Sequence, residues 1–462
     1  MGNSSKRILT GYSDFDILFR DGIIDGSTIL LIGPPGSGKT SLAAKILYEA
    51  MSKYGCRTAF ISLNEAYNRF HDEMLSIGMD FNVFREKGLF KYVTLPTIAS
   101  EDFVNEFTKI YSSIIHEFRP KWIVIDSISP IVSGLSDRLI RAFARNILYG
   151  DVSRDRVNKI IIGEISYGCK EYSLGGMEFV ADIIILLQLG IRGKHVRRVL
   201  KILKSRAIQT HTNKAYLTIS RDFGVRIISP PPVSEIPPLD YSKIYYTGCE
   251  TFDRAVGGVP RGAQILITYP AGMSITNHLI AIVAQYILRY NLKTLFITYS
   301  MSEEDIMYRL NSVLERIGMS RDDIGRLIHV KSFNPATISL YDLFVCGQEI
   351  IDKLNPDVLV LHGLRNLYNI HGYSRDIQLF TFMSALNHRK KGITVFRKVA
   401  YRKKNEYHPA LEYSDIILRI YTTREGYGLE VLKTAYGGLP GWVIGFRELE
   451  SCARKFLTNT HG

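Results

Sequence analysis

The chain has 462 residues, a formal net charge of +13, 46% apolar residues and five cysteines. Its length corresponds to about three domain-sized units, and its apolar content is ample for packed cores. The cysteines are scattered, odd in number and free of CxxC spacing, so we expect neither a disulfide framework nor a structural zinc site. No apolar run reaches ~18 residues and the N-terminus lacks an apolar signal core, so we expect no membrane span and a cytoplasmic location.

The first half of the chain alternates short apolar strands with helical stretches. The predicted strands lie near 28–33, 57–62, 122–126, 159–164 and 183–189. The predicted helices cover 39–53, 66–77, 101–118 and 136–149. Near-continuous Val, Ile and Leu in the strands predict a parallel sheet with both faces covered by helices. A hairpin is expected over 183–203, at a more exposed edge of the sheet.

A glycine-rich loop follows the first of these strands. Residues 33–40 read GPPGSGKT, which fits the pattern G-x-x-x-x-G-K-[ST] completely, between the strand TILLI and the helix SLAAKILYEAM. In such a loop backbone N–H groups face phosphate oxygens, the lysine reaches the terminal phosphates and the hydroxyl binds Mg²⁺. We therefore expect ATP and Mg²⁺ as cofactors. The predicted binding residues are Gly33, Pro34, Pro35, Gly36, Ser37, Gly38, Lys39, Thr40 and Ser41.

Two carboxylates are placed to assist this loop. Asp126 ends the strand WIVID, where a carboxylate can hold Mg²⁺ through water; the alternative is a helix-capping role. Glu65 follows the strand TAFISLN, where a carboxylate can orient or deprotonate an attacking water. The alternative for Glu65 is a solvated residue that opens a helix, and position alone does not separate the two.

The second half of the chain repeats the first. AFISLNE at 59–65 returns as LFITYSM at 295–301, and KWIVID at 121–126 returns as DVLVLH at 357–362, both 236 residues later. A spacing held over more than a hundred residues indicates a tandem duplication.

A proline-rich stretch, SPPPVSEIPPLD, separates the two copies and suits a semi-rigid extended linker. We therefore predict domains over 1–228 and 244–462, joined by a linker over 229–243.

The chain resembles the KaiC-like branch of the RecA/RadA ATPase superfamily. The resemblance is carried by TGYSDFDILFRDGIIDGSTILLIGPPGSGKTSLAAKIL, FISLNEAYNRFHDEMLSIGMDF and WIVIDSIS, and by the closing strands GMEFVADIIILLQL and RRVLKILKSR. It covers nearly all of 8–228 and, more weakly, 244–446. It implies two tandem RecA-like P-loop domains of the α/β class, each a mostly parallel central sheet flanked by helices.

The same resemblance implies site residues and assembly. Members of the family are usually hexameric rings that hold ATP between subunits. A glutamate after the second strand is catalytic, and in this chain it corresponds to Glu65. The loop lysine, Lys39, is the other catalytic residue within the same domain. A Lys-x-Arg pair reaches the neighbouring subunit's ATP, which corresponds to Lys204 and Arg206. The alternative for that pair is a solvated hairpin end.

The second copy lacks several requirements of phosphoryl transfer. The replacements are Tyr269 for Gly33, Ser274 for Gly38, Ile275 for Lys39, His362 for Asp126, Met301 for Glu65 and Ala435 for Arg206. These changes remove the phosphate-binding cation, the metal carboxylate, the catalytic carboxylate and the arginine together. We therefore predict a pseudo-ATPase domain without autokinase activity, which helps assembly or docks a protein partner.

A run of cations in the second copy has two interpretations. Between 389 and 404 the cations are Arg389, Lys390, Lys391, Arg397, Lys398, Arg402, Lys403 and Lys404, and Tyr401 and Tyr407 interleave with them or follow them. Cations for phosphates and tyrosines for base stacking fit a single-stranded nucleic-acid surface. The alternative is a solvated loop, or one that docks an acidic protein.

Three functions remain open at this point. The first is a KaiC-like regulatory ATPase that hydrolyses ATP slowly in its first domain. The second is a DNA-binding accessory ATPase of the RecA/RadA type. The third is a nucleotide-gated scaffold with negligible turnover.

Overall fold

The computed structural model describes most of the chain as two compact units, Met1–Pro232 and Val233–Gly462. The described residues are 6–20, 22–95, 101–129, 140, 156–167, 176–192, 195–232, 235–273, 277–315, 320–372, 375–402, 406–424, 426–445, 447–449 and 451. The predicted helix over 136–149 lies outside them apart from Ile140, as do Ser274, Ile275, Lys403 and Lys404.

The first unit is built on a nine-stranded sheet. Its strands, with a small separate pair (β1 and β2), are β1 Arg7–Ile8, β2 Ile23–Ile24, β3 Thr28–Gly33, β4 Thr58–Ser62, β5 Phe90–Thr94, β6 Trp122–Asp126, β7 Asn158–Glu164, β8 Ile183–Arg192, β9 His195–Ser205, β10 Lys214–Ser220 and β11 Gly224–Ile228. The order across the sheet is β11-β10-β9-β8-β3-β7-β6-β4-β5. The six strands from β8 to β5 are parallel, and β9, β10 and β11 add on antiparallel.

Helices cover both faces of this sheet. They are α1 Ser13–Asp16, α2 Lys39–Tyr54, α3 Tyr67–Leu75, α4 Asn82–Glu86, α5 Glu101–Ser113 with a π-helical turn over Ile114–Phe118, and α6 Met177–Val180. Every residue of β3 and β4 is buried, because one core lies on each face of the sheet. This explains why these strands are continuous apolar runs instead of alternating ones.

The second unit has an eight-stranded sheet with the same plan. The strands of the unit, of which β12 and β13 form a small separate pair, are β12 Asp240–Tyr245, β13 Val259–Arg261, β14 Gln264–Pro270, β15 Thr294–Thr298, β16 Ile328–Ser332, β17 Val358–His362, β18 Thr394–Tyr401, β19 Ile416–Thr423, β20 Gly426–Lys433 and β21 Val443–Ile444. Its helices are α7 Glu250–Val256, α8 Asn277–Arg289, α9 Glu303–Leu314, α10 Arg321–Leu327, α11 Leu340–Leu354, α12 Leu364–His371, α13 Arg375–Lys390 and α14 Ala410–Tyr413.

The strand order confirms the predicted fold class of two tandem, mostly parallel α/β domains. The order β5-β4-β6-β7-β3-β8-β9 in the first unit matches β16-β15-β17-β18-β14-β19-β20 in the second. Small details repeat as well. The Asp16 carboxylate accepts the N–H of Thr10 at 2.8 Å, and the Asp253 carboxylate accepts the N–H of Thr247 at the same distance.

Two expectations need adjustment. Part of the stretch expected as a linker is structured, because β12 begins at Asp240 and pairs with β13. Cys249 is disulfide-bonded, although the sequence predicted no disulfide framework, while Cys56 and Cys346 are not in disulfides. No helix among the described residues is both long enough and apolar enough to cross a membrane.

Candidate functional site

The glycine-rich loop lies at the carboxyl edge of the first sheet, between β3 and α2. Strand β3 ends at Gly33, and a Cβ there would lie 2.4 Å from the Leu187 carbonyl oxygen, so the close approach of β8 requires glycine. Gly38 precedes α2 with φ of 93°, a left-handed conformation that glycine adopts without strain. The first N–H groups of α2 therefore face the loop, where they can bind an anion.

Lys39 is held against this loop. Its Nζ donates hydrogen bonds to the carbonyl oxygens of Gly33 and Pro34, both at 2.9 Å, and the side chain is buried. Burial lowers the pKa of Lys39, while the negative charges of Glu164 and Asp126 act in the opposite direction. The ammonium thus lies in a partly desolvated position, where its attraction for phosphate oxygens is strengthened.

Thr40 and Asp126 meet as the sequence predicted for a metal site. The Thr40 hydroxyl donates to Asp126 Oδ2 at 2.6 Å, across the gap between the start of α2 and the end of β6. Burial raises the pKa of Asp126, and the Thr40 hydrogen bond and Lys39 counteract that effect. Within the described part of the chain, no group of three His, Cys, Asp or Glu side chains could hold a metal alone. A hydroxyl and one carboxylate fit Mg²⁺, which takes its other ligands from phosphate and water.

Glu65 lies in the turn after β4, on the same edge of the sheet. Its backbone N–H donates to the Ser62 hydroxyl at 3.0 Å, and its Oε1 pairs with Arg69 Nε at 3.0 Å. Partial burial raises the pKa of Glu65; Glu73 and Asp126 raise it further, and Arg69 lowers it. A carboxylate with a raised pKa is better suited to accept a proton near neutral pH.

The sequence reasoning missed two residues, one at the end of β7 and one shortly after it. The Tyr167 hydroxyl donates to the Pro35 carbonyl oxygen at 2.7 Å and so contacts the tip of the loop. Glu164 ends β7, and its charge acts on both Lys39 and Asp126. The rule that placed Asp126, a polar residue at the carboxyl end of a parallel strand, would also have found Glu164.

Lys204 and Arg206 lie away from the loop of their own unit. Lys204 pairs with Ile184 on β8, which pairs with Leu30 on β3, three residues before Gly33 and so about 10 Å short of the loop along the strand. The Lys204 ammonium donates to the carbonyl oxygens at the end of α6, and Arg206 is exposed. Any role for these two side chains at phosphates therefore requires a second copy of the chain.

The strand before the loop counterpart in the second unit is one residue longer than β3. Strand β14 continues through Tyr269 and Pro270, which pair with Ala400 and Tyr401 of β18, whereas β3 stops at Gly33. At the position of Asp126, His362 Nδ1 lies 3.1 Å from the Thr298 hydroxyl. The strand thus extends through the counterpart of Pro34, the first residue after β3.

The central residues of the predicted nucleic-acid surface are buried. Arg397 and Lys398 are buried within β18, and Arg397 donates to Gln264 Oε1 at 2.7 Å. Arg389 pairs with Asp415 at 2.6 Å, since its side chain folds back onto the unit. The prediction was wrong for these residues, because β18 buries Arg397 and Lys398 and an ion pair holds Arg389 against the unit. Of the other described members, Lys391 pairs with Asp352, and Lys390 and Arg402 are exposed.

A strand, loop and helix that present a buried lysine and a Thr–Asp pair at the edge of a parallel sheet define a P-loop nucleotide-binding protein. Residues 8–231 match the family model described as the KaiC ATPase. Circadian clock protein KaiC2 of Synechocystis sp. is 24% identical over 84% of this chain and 68% of its own length. Circadian clock oscillator protein KaiC of Rippkaea orientalis is 28% identical over 44% of this chain and 39% of its own length.

The first unit therefore belongs to the KaiC-like branch of the RecA-type P-loop ATPases, and the chain as a whole is similar to KaiC-like proteins. Circadian clock protein KaiC3 of Synechocystis sp. is also similar, with 26% identity over 58% of this chain and 54% of that protein. The chain thus spans little more than half of KaiC3, and less of the oscillator protein, so the activities of those whole proteins do not transfer directly.

Proposed function

We propose that the first unit binds Mg·ATP and hydrolyses it slowly, as a regulatory ATPase whose second unit does not hydrolyse ATP. The observation that carries this proposal is the 2.6 Å contact between Thr40 and Asp126 beside the buried Lys39. When bound, Mg²⁺ would neutralise phosphate charge; Thr40 and Asp126 are the residues that would hold it.

Each residue of the first site has a role in the proposed reaction. The backbone N–H groups over 36–40 and the Lys39 ammonium bind the phosphates, which orients the terminal group. Glu65 accepts a proton from the attacking water, for which it must leave its ion pair with Arg69. Tyr167 supports the loop through the Pro35 carbonyl. Slow turnover fits a base that is neutralised by Arg69 before the reaction.

The second unit lacks the groups that this reaction uses. Met301 cannot accept a proton, His362 carries no negative charge for a metal, and Tyr269 stands at the position of Gly33. We therefore infer that this unit contributes to assembly or partner binding.

Phosphate release separates an ATPase from a nucleotide-gated scaffold. We expect Glu65→Gln to lower the rate by about 100-fold or more while ATP remains bound, because a positioned general base contributes on that order. The matched control is Glu73→Gln, which removes a neighbouring carboxylate on α3. If the wild type releases phosphate only at the background rate of Glu65→Gln, hydrolysis is refuted and the nucleotide-gated scaffold is the remaining function.

Complementation between variants tests whether sites form between copies of the chain. Glu65→Gln and Arg206→Ala should each be inactive alone, since each removes one part of every site. Mixing equal amounts should restore about a quarter of the wild-type rate, because random assembly in a closed ring pairs an intact Glu65 with a neighbour's intact Arg206 that often. If mixtures that assemble recover no ATPase activity, or if Arg206→Ala alone is fully active, Arg206 has no role at a neighbouring copy's site.

A further inference from the structure

The second unit contains a cavity of about 350 Å³ between its sheet and helices α8 and α9. Its wall is mainly apolar, with contributions from Phe296, Ile306, Leu310 and Leu418. A volume of this size is within the range of cavities that hold small organic ligands. The cavity also reaches the residues that replaced the nucleotide site, including Tyr269 and His362.

A buried cation replaces a core residue in this wall. Lys398 pairs with Ile267 in the register in which Ile162 pairs with Leu31 in the first unit, where Ile162 is part of the core. The Lys398 side chain is only 8% exposed, and its Nζ lies over the Tyr269 ring, 5.0 Å from the centroid. Among the described residues, no carboxylate pairs with it. A buried amine without a counter-ion is costly to protonate, and a bound anion at this place would stabilise its charged form.

The charges around the cavity are reversed relative to the first unit. Arg309 lines the cavity at the position of Glu73, and His362 lines it at the position of Asp126. The two Thr298 and Ser300 hydroxyls lie within 3.2 Å of His362 Nδ1. When these hydroxyls donate to Nδ1, the neutral ring carries its proton on Nε2 and is a donor there. Arg309 is exposed, so the cavity has a cation at its solvent side.

The polar groups of the cavity favour an anionic ligand. The polar lining offers an ammonium, a guanidinium and an imidazole N–H, while Asp and Glu are absent from the described lining. A site without carboxylates has no ligand for a hydrated divalent cation, so it differs from a nucleotide–metal site. The rest of the lining favours a hydrocarbon body.

We propose that this cavity binds a small organic monoanion with an apolar body, such as a medium-chain carboxylate, without a metal ion. The carboxylate pairs with Lys398 and Arg309 and accepts from His362, and the hydrocarbon lies along the apolar wall. The second unit is then a sensor of an amphipathic acid instead of a second nucleotide site. This inference does not depend on hydrolysis in the first unit.

Calorimetric titration with three matched probes tests the proposal. The probes are octanoate, octan-1-ol and octyltrimethylammonium, which share the chain and differ in head-group charge. We expect octanoate to bind with one site per chain, and the alcohol and the cation to bind at least about tenfold more weakly, because a charged hydrogen bond is lost. Equal affinity for octanoate and octan-1-ol, or no octanoate binding, would overturn the proposal.

Two variants connect binding to the named residues. Lys398→Met should weaken octanoate binding by about ten- to a hundredfold, and Arg309→Gln should weaken it as well. Lys390→Met is the matched control, because Lys390 is an exposed cation of the same unit outside the cavity. Unchanged octanoate affinity in Lys398→Met would overturn the proposal. Binding of a second ATP per chain in competition with octanoate would overturn it as well.

Discussion

The buried ammonium of Lys398 makes the stability of the second unit depend on alkaline pH. Burial, and secondarily Arg309, lowers the pKa of Lys398 from 10.5 to about 7. Between these values the unfolded chain holds the proton and the ligand-free folded chain does not, so the free energy of unfolding rises with pH. The cost is fully present below pH 7 and disappears near pH 10.5. At ~1.4 kcal/mol for each pKa unit, it amounts to about 3–5 kcal/mol.

Lys398→Met should remove this cost, since methionine has a similar length and no charge. At pH 7 we expect the variant to be more stable than the wild type by about 3–5 kcal/mol, and near pH 10.5 the two should converge. Urea unfolding followed by the fluorescence of Trp442 measures this in the second unit, with Trp122→Phe as the common background. Lys390→Met should behave like the wild type. Equal stability of Lys398→Met and wild type at pH 7 would refute the reasoning.

Three further predictions concern the first site and acid stability. Gly33→Ala should abolish ATP binding in equilibrium dialysis, because its Cβ would clash with the Leu187 carbonyl; unchanged affinity would contradict this. Arg69→Ala should move the acid limb of the ATPase pH–rate profile to higher pH, since Arg69 lowers the pKa of Glu65, and an unmoved limb would count against Glu65 as the base. His388 is buried and its pKa is lowered to about 3, so the free energy of unfolding should fall as the pH drops below 6.5. Urea unfolding of His388→Leu should show a dependence on pH that is smaller by about 1.4 kcal/mol per pH unit. An unaltered dependence would show that His388 does not cause the loss of stability.

Residues that depend on chain-local geometry were predictable from the sequence. The strand–loop–helix around Lys39 was read correctly because its glycines, lysine and flanking apolar runs all lie within about 25 residues. The contact of Thr40 with Asp126 followed from one rule, that parallel strands end at a common edge. Tyr167 carried no such signal, since a tyrosine in a loop predicts no particular partner.

The run of cations in the second unit shows where a linear pattern fails. Arg397 and Lys398 look like part of a charged loop when read with their neighbours, yet they lie inside β18. Their burial depends on partners far along the chain, such as Gln264 for Arg397 and Tyr269 for Lys398. Charge in a sequence therefore indicated a surface, and strand pairing placed it in the interior.

The sequence by itself determined the duplication, the fold class and the strand–loop–helix of the candidate site, because each rests on local spacing or on a repeat that can be read along the chain. The tertiary structure alone decided what replaced the second site. Tyr269, His362 and Lys398 come from three different strands, and their meeting at one apolar cavity depends on sheet order and register. Sequence showed which groups the second unit had lost; packing showed that cations with an apolar wall had taken their place, since only packing brings distant side chains together.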